Sequence, residues 1–172
     1  MAALTPPVVR EESPADAAAI HALTTAAFLN APHTAHTEQF IVDALRKAGA
    51  LSLSLVAEQG GEVVGHVALS PVSISDGSTG WYGLGPISVE PALQRKGIGS
   101  LLMRATLRHL RERDAAGCVL VGDPAYYSRF GFKPEPGLVL PNVPAEYFQA
   151  LPFGPSMPRG EVAFHDAFDA RS

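Results

Sequence analysis

The spacing of apolar residues changes near Gly49 from helical to alternating, and that change limits the folds open to this chain. Before it the pattern is helical. Ser13-Pro14-Ala15-Asp16 reads as a helix start, with a capping serine, a proline suited to the first turn and an acid that complements the dipole. The Ala-rich stretch that follows to Phe28 has high helix propensity. Asn30–His36 breaks it at Pro32, and Thr37 restarts a helix through Lys47, with Phe40, Ile41, Ala44 and Leu45 at helical spacing.

After Gly49 the pattern is extended. A strand is expected near Val8-Val9-Arg10 at the start of the chain, and a hairpin at Leu53–Glu58 and Glu62–Ile74 around Gln59-Gly60-Gly61. Trp81–Val89 is a further strand, disturbed by Gly83 and Gly85-Pro86, residues that mark a bulge or a close backbone approach. Ile98–Arg113 is the strongest helix, with Ile98, Leu101, Leu102 and Ala105 as its core stripe and Arg104, Arg108 and Arg111 on another face. Cys118–Val121 is a short strand, and Asp123-Pro124 caps a helix of under two turns that ends at Gly131. In the Pro-rich remainder, Val139 and Glu161–His165 are expected strands. The fold class read from this order is α/β: one domain over residues 1–172, with a mixed, mostly antiparallel sheet flanked by helices.

The segment from Gly85 to Gly99 carries the chemistry. A strand ends, a short loop follows, and a helix begins around Gly97-Ile98-Gly99. A helix start leaves unpaired N–H groups and a partial positive charge, and glycines let that backbone close around a phosphate. The triphosphate loop with Gly-Lys-Ser/Thr is absent, and the dinucleotide fingerprint lacks its third glycine, since Leu102 stands there.

Gln94-Arg95-Lys96-Gly97-Ile98-Gly99 resembles the Gln/Arg-x-x-Gly-x-Gly/Ala motif of the GNAT acyltransferase superfamily. Tyr126-Tyr127-Ser128-Arg129-Phe130-Gly131-Phe132 resembles that family's Tyr-x-x-x-Gly-Phe element, and the order of elements from Val8 to Phe132 is similar throughout. Gly122–Tyr127 and Pro144–His165 look like the bacterial YhbS-type subgroup. The resemblance implies a sheet splayed at a central strand and acetyl-coenzyme A as co-substrate. It places the pantetheine arm on the backbone of Ile87 and Val89, and the pyrophosphate at Gln94, Arg95, Lys96, Gly97, Ile98, Gly99 and Ser100. Tyr127 falls at the general-acid position, with Tyr126 as its competitor. The chain departs from the wider family at Gly122-Asp123-Pro124, where many members carry an asparagine.

The resemblance further implies direct acetyl transfer to an amine, a small molecule or a peptide or protein amine. Glu38 is the first candidate for the base and Glu90 the second, each weighed against a solvated carboxylate and a water relay. A coenzyme A-binding sensor without turnover and a nucleotide-binding regulator are the alternatives, and a homodimer is left open. His33 and His36 have a metal-ligand spacing but stand in a loop with one nearby carboxylate, so no metal is expected. His66 reads as a satisfied core histidine. Cys118, the single cysteine, reads as a buried hydrophobe and rules out a disulfide framework. Trp81, Phe148 and Phe153 are expected to pack, with Pro144–Pro158 as a cover for the acceptor site.

No apolar run is long enough to cross a bilayer, and Met1–Glu12 shows no secretory pattern, so a cytoplasmic protein is expected. The net charge of −4 excludes nucleic acid or membrane binding by bulk charge. That average hides a local contrast. Pro91–Arg113 holds six basic residues and one acidic, a balance of +5, and the remainder stands at −9. A basic loop and helix in an acidic body suit a polyanionic coenzyme.

Overall fold

Seven strands form the main sheet of the protein, a computed structural model that describes Thr5–Ser172. The reading of Met1–Glu12 as lacking a leader falls partly outside those residues. In chain order the strands are β1 (Val8–Glu11), β2 (Leu53–Gln59), β3 (Glu62–Pro71), β4 (Ser73–Ile74), β5 (Trp81–Val89), β6 (Gly117–Val121), β7 (Lys133–Pro134), β8 (Leu138–Val139), β9 (Phe148–Pro152) and β10 (Gly160–Ala163). The helices are α1 (Ala17–Phe28), α2 (Glu38–Lys47), α3 (Ile98–Glu112) and the short α4 (Pro124–Tyr127). The main sheet runs β1-β2-β3-β5-β6-β9-β7, and β4, β10 and β8 form a small second sheet.

Every junction of the main sheet is antiparallel except β5 with β6. A parallel neighbour requires a crossover, and α3 supplies it. Alternation of side chains along β3 assigns the helices to faces. Gly65 faces α3 so closely that a methyl group there would lie 2.9 Å from Ile98 and 3.0 Å from Leu102. On the other face, Val56 of β2 packs with Ile20 of α1 and Val42 of α2.

Three expectations are corrected. Leu101 is not part of the α3 core stripe: it is 39% exposed, and the buried face is Ile98, Leu102, Met103, Ala105, Thr106, Leu107 and Leu110. Thr106 belongs there because its hydroxyl donates to the Leu102 carbonyl at 2.9 Å, so no polar group is left unpaired. Phe148–Pro152, read only as packing or a cover, is a strand that pairs β6 along its whole length. His66 is fully buried but only half satisfied: one ring nitrogen meets the Ser54 hydroxyl at 2.8 Å and Nδ1 has no partner.

Candidate active site

The site begins where β5 parts from β6. Leu69 of β3 pairs with Leu84 and Val67 with Ile87, so Gly85 and Pro86 together stand against Ala68 as a bulge. Beyond it the Glu90 amide donates to the Val64 carbonyl at 2.8 Å. Hydrogen-bonded and non-hydrogen-bonded pairs alternate in an antiparallel ladder. His66 with Ser88 is therefore a bonded pair, and Gly65 with Val89 and Val67 with Ile87 are not. The N–H and C=O groups of Ile87 and Val89 consequently point away from β3, toward β6. On that side pairing covers only Trp81–Gly83 against Gly117–Val119. The two strands diverge past that point, and a wedge with an unpaired backbone edge remains.

The loop after β5 forms the floor of the groove. Gln94 donates its side-chain amide to the Val89 carbonyl at 3.2 Å, which ties the loop to the open strand. Arg95 (φ 64°) and Gly97 (φ 90°) are left-handed, and Gly97 caps α3 by accepting from Leu101 at 3.0 Å. None of the amides from Arg95 to Ser100 donates to another described residue. Six donors in succession around left-handed turns at a helix start make a concave anion-binding nest.

Two adjoining cavities, of about 440 and 540 Å³, share Val89, Gln94, Gly99 and Tyr126 and form one groove. The first is lined by the loop, including Arg95, Gly97, Ile98 and Ser100, and by Arg129. The second adds Ile87, Pro32, Gly122, Asp123 and Tyr127. Asp123 caps α4 by accepting from the Ala125 amide at 2.9 Å, which fixes the turn that sends Tyr126 and Tyr127 into the groove. Burial, with Tyr126 and Asp123 adding to it, pushes the Tyr127 phenol up to about 12. Its hydroxyl makes no hydrogen bond with a described residue. The rings of Tyr126 and Tyr127 meet edge to face at 4.9 Å.

Of the sequence candidates, Ile87, Val89, Gln94, Arg95, Gly97, Ile98, Gly99, Ser100 and Tyr127 line this groove. Lys96 is exposed and does not line it. Glu38 opens α2, outside the lining, and its carboxylate accepts from the Thr34 hydroxyl, at 2.9 Å through Oε2. Glu90 is also outside the lining. His33 and His36, both exposed with φ of 56° and 59°, belong to no cluster of three metal-binding side chains among the described residues. The lining residues that sequence reasoning did not place here are Pro32, Leu93, Gly122, Asp123 and Arg129. For Arg129 a signal existed, since it follows Tyr126 at helical spacing.

A group that fits must bring phosphate to the nest and a slender, amide-bearing arm to the wedge. Gly99 lets the Tyr126 ring sit close against the loop, since a methyl group there would lie 2.9 Å from the tyrosine hydroxyl. Both requirements describe coenzyme A. A splayed sheet beside a glycine-bearing loop of free amides is the architecture of an acyl-coenzyme A-binding α/β domain.

The chain belongs to the Acetyltransferase (GNAT) family, which it matches over residues 17–132. It is 38% identical over 127 residues to the uncharacterized N-acetyltransferase YhbS of Escherichia coli K12, spanning 73% of each chain. Among solved structures, a GNAT family acetyltransferase from Brucella melitensis in complex with acetyl-CoA is 53% identical, with a TM-score of 0.85, over 95% of this chain and 98% of that one. The YhbS structure from Escherichia coli in complex with CoA gives 32% identity and a TM-score of 0.88, covering 100% of this chain and 96% of that one.

Proposed function

We propose that this chain is an N-acetyltransferase that moves the acetyl group of acetyl-coenzyme A to an amine, with Tyr127 as general acid. The observation that carries the reading is that the partnerless amides of Arg95 and Gly97–Ser100 line one groove with the open backbone edge at Ile87 and Val89. Two structures similar to this one hold acetyl-CoA and CoA.

Bound there, acetyl-coenzyme A supplies an acetyl group activated as a thioester. The loop amides hold its pyrophosphate, and the edge of Ile87 and Val89 hydrogen-bonds its amide-bearing arm. These contacts hold the acetyl group in place, and proximity accounts for much of the lowered barrier. The Val89 N–H polarises the carbonyl where negative charge develops. Tyr127 offers its proton to the departing sulfur. Its phenol, near 12, stays protonated at any working pH. Transfer to a thiolate whose thiol titrates at ~8.5 is uphill, so Tyr127 gives its proton to the sulfur as it takes one back from water that has received the amine's proton. Proton removal from the amine falls to water, because Glu38 lies outside the groove and is engaged by Thr34.

The test is thiol release from acetyl-coenzyme A across a panel of small amines and peptide amines. Release with at least one acceptor is expected. Thermal stabilisation by acetyl-coenzyme A with no release on any acceptor would replace the enzyme with a coenzyme-binding module.

A further inference from the structure

The anion nest has one wall that the loop does not make. Arg129 lies in the turn after α4, more than thirty residues beyond Gly97, and lines the same cavity as Arg95, Gly97, Gly99 and Ser100. Its guanidinium carbon stands 4.6 Å from the centroid of the Tyr126 ring. It has no carboxylate within ion-pair distance and no hydrogen bond among the described residues. Arg104 of α3 stands instead over Phe130, 5.7 Å from that ring centroid and outside this cavity.

The ring beneath Arg129 is held on several sides. The Tyr126 hydroxyl end abuts Gly99, its flank meets Tyr127 at 4.9 Å, and Phe130 packs at 5.6 Å. A guanidinium stacked on an aromatic face spends its π surface on the ring and keeps its N–H edge available. That edge carries five donors in a planar fork suited to a phosphate. Tyr126 thus presents a charged fork to a cavity whose facing wall is a row of N–H groups.

We propose that Arg129, positioned by Tyr126, is a coenzyme-binding residue that closes the pyrophosphate nest from the α4 side. This rests on the coenzyme reading above and adds a second wall to it. The backbone amides bring partial charge and fixed geometry, and Arg129 brings the full charge at the rim. Because Tyr126 also touches Tyr127, the same ring links the phosphate clamp to the proposed acid.

The experiment is calorimetric titration of the whole chain, wild type and Arg129→Gln, with coenzyme A and with 3′-dephospho-coenzyme A at two salt concentrations. Losing a charged fork to phosphate weakens binding by about tenfold or more. The expected result is that weakening for both ligands alike, with a shallower salt dependence than wild type. Arg129→Lys, which keeps charge without the fork, recovers part of the affinity. Tyr126→Leu, which removes the platform, reproduces the loss while Arg129 is still present. Unchanged affinity in Arg129→Gln overturns the proposal. A loss confined to coenzyme A overturns it too, because the arginine then reads the 3′-phosphate. If Arg129→Gln does not fold, Arg129→Met, which keeps the apolar stem, takes its place with the same outcomes. A wild-type chain with no affinity for either ligand overturns the coenzyme reading itself, which separates that failure from this one.

Discussion

Gly122 lies directly against the ring of Tyr127: a methyl group on its Cα would stand 2.3 Å from Cε2. That contact explains why a glycine follows β6 here. Any side chain would push the tyrosine out of its place. Gly122→Ala is therefore expected to cut turnover about tenfold or more by moving the proposed acid, since small displacements of reacting groups are costly. Coenzyme affinity, measured by titration, stays within about threefold, because the loop amides are untouched. Equal turnover in the two proteins would show that the Tyr127 position does not matter.

Tyr127→Phe removes the proton and keeps the ring. Turnover is expected to fall by about 10²-fold, the scale of general acid catalysis, with nearly wild-type coenzyme affinity. With the phenol raised to about 12, the wild-type rate should show no loss assignable to tyrosine ionisation up to about pH 10. Steady-state rates across that range, for wild type and variant, check both statements.

The buried His66 makes the fold acid-sensitive. Burial lowers its pKa from 6.5 to about 4, against the opposing pull of Glu12 and with help from Arg46. Between those values the unfolded chain takes up a proton that the folded chain refuses. Stability is complete above pH 6.5 and drops as pH falls toward 4, by about 3 kcal/mol over the window. Glu12 and Asp16, both held below the usual carboxylate range and hydrogen-bonded to Arg46 and Arg10, extend the loss to lower pH. Denaturant melts at pH 7.5, 6, 5 and 4 should show this slope, flattened in His66→Gln. An identical slope in the variant would assign the acid sensitivity elsewhere.

Gly117 is set by packing. A methyl group there would fall 2.3 Å from the Trp81 ring, on the neighbouring strand at the closed end of the wedge. Gly117→Ala should destabilise by about 1–3 kcal/mol, the usual range for overpacking, and appear as a lower midpoint in urea. An unchanged midpoint would mean that Trp81 repacks freely.

The parts of the fold legible in the sequence were those set by neighbours in the chain. The bulge at Gly85-Pro86, the cap at Asp123 and the turn at Gly131 each depend on a few adjacent residues, and each stands where expected. Strand β9 was not legible, because its five residues gain their meaning from β6, almost thirty residues earlier. Leu101 misled because helical spacing gives a face without its width, and the sheet beneath chose Met103 and Thr106 instead. In the site, Gly97 and Gly99 announced the nest. Arg129 gave only its helical spacing from Tyr126, and a basic residue on a short turn looks solvated until the ring beneath it is located.

The unpaired edge of β5 has a consequence for the molecule's company. A naked strand edge ordinarily invites another polypeptide to add itself to the sheet. Here the edge is recessed between two strands that remain joined at Trp81–Gly83 and Gly117–Val119. Unlike the outer edges of β1 and β7, this stretch of free backbone lies inside the sheet, flanked on both sides by the protein's own strands.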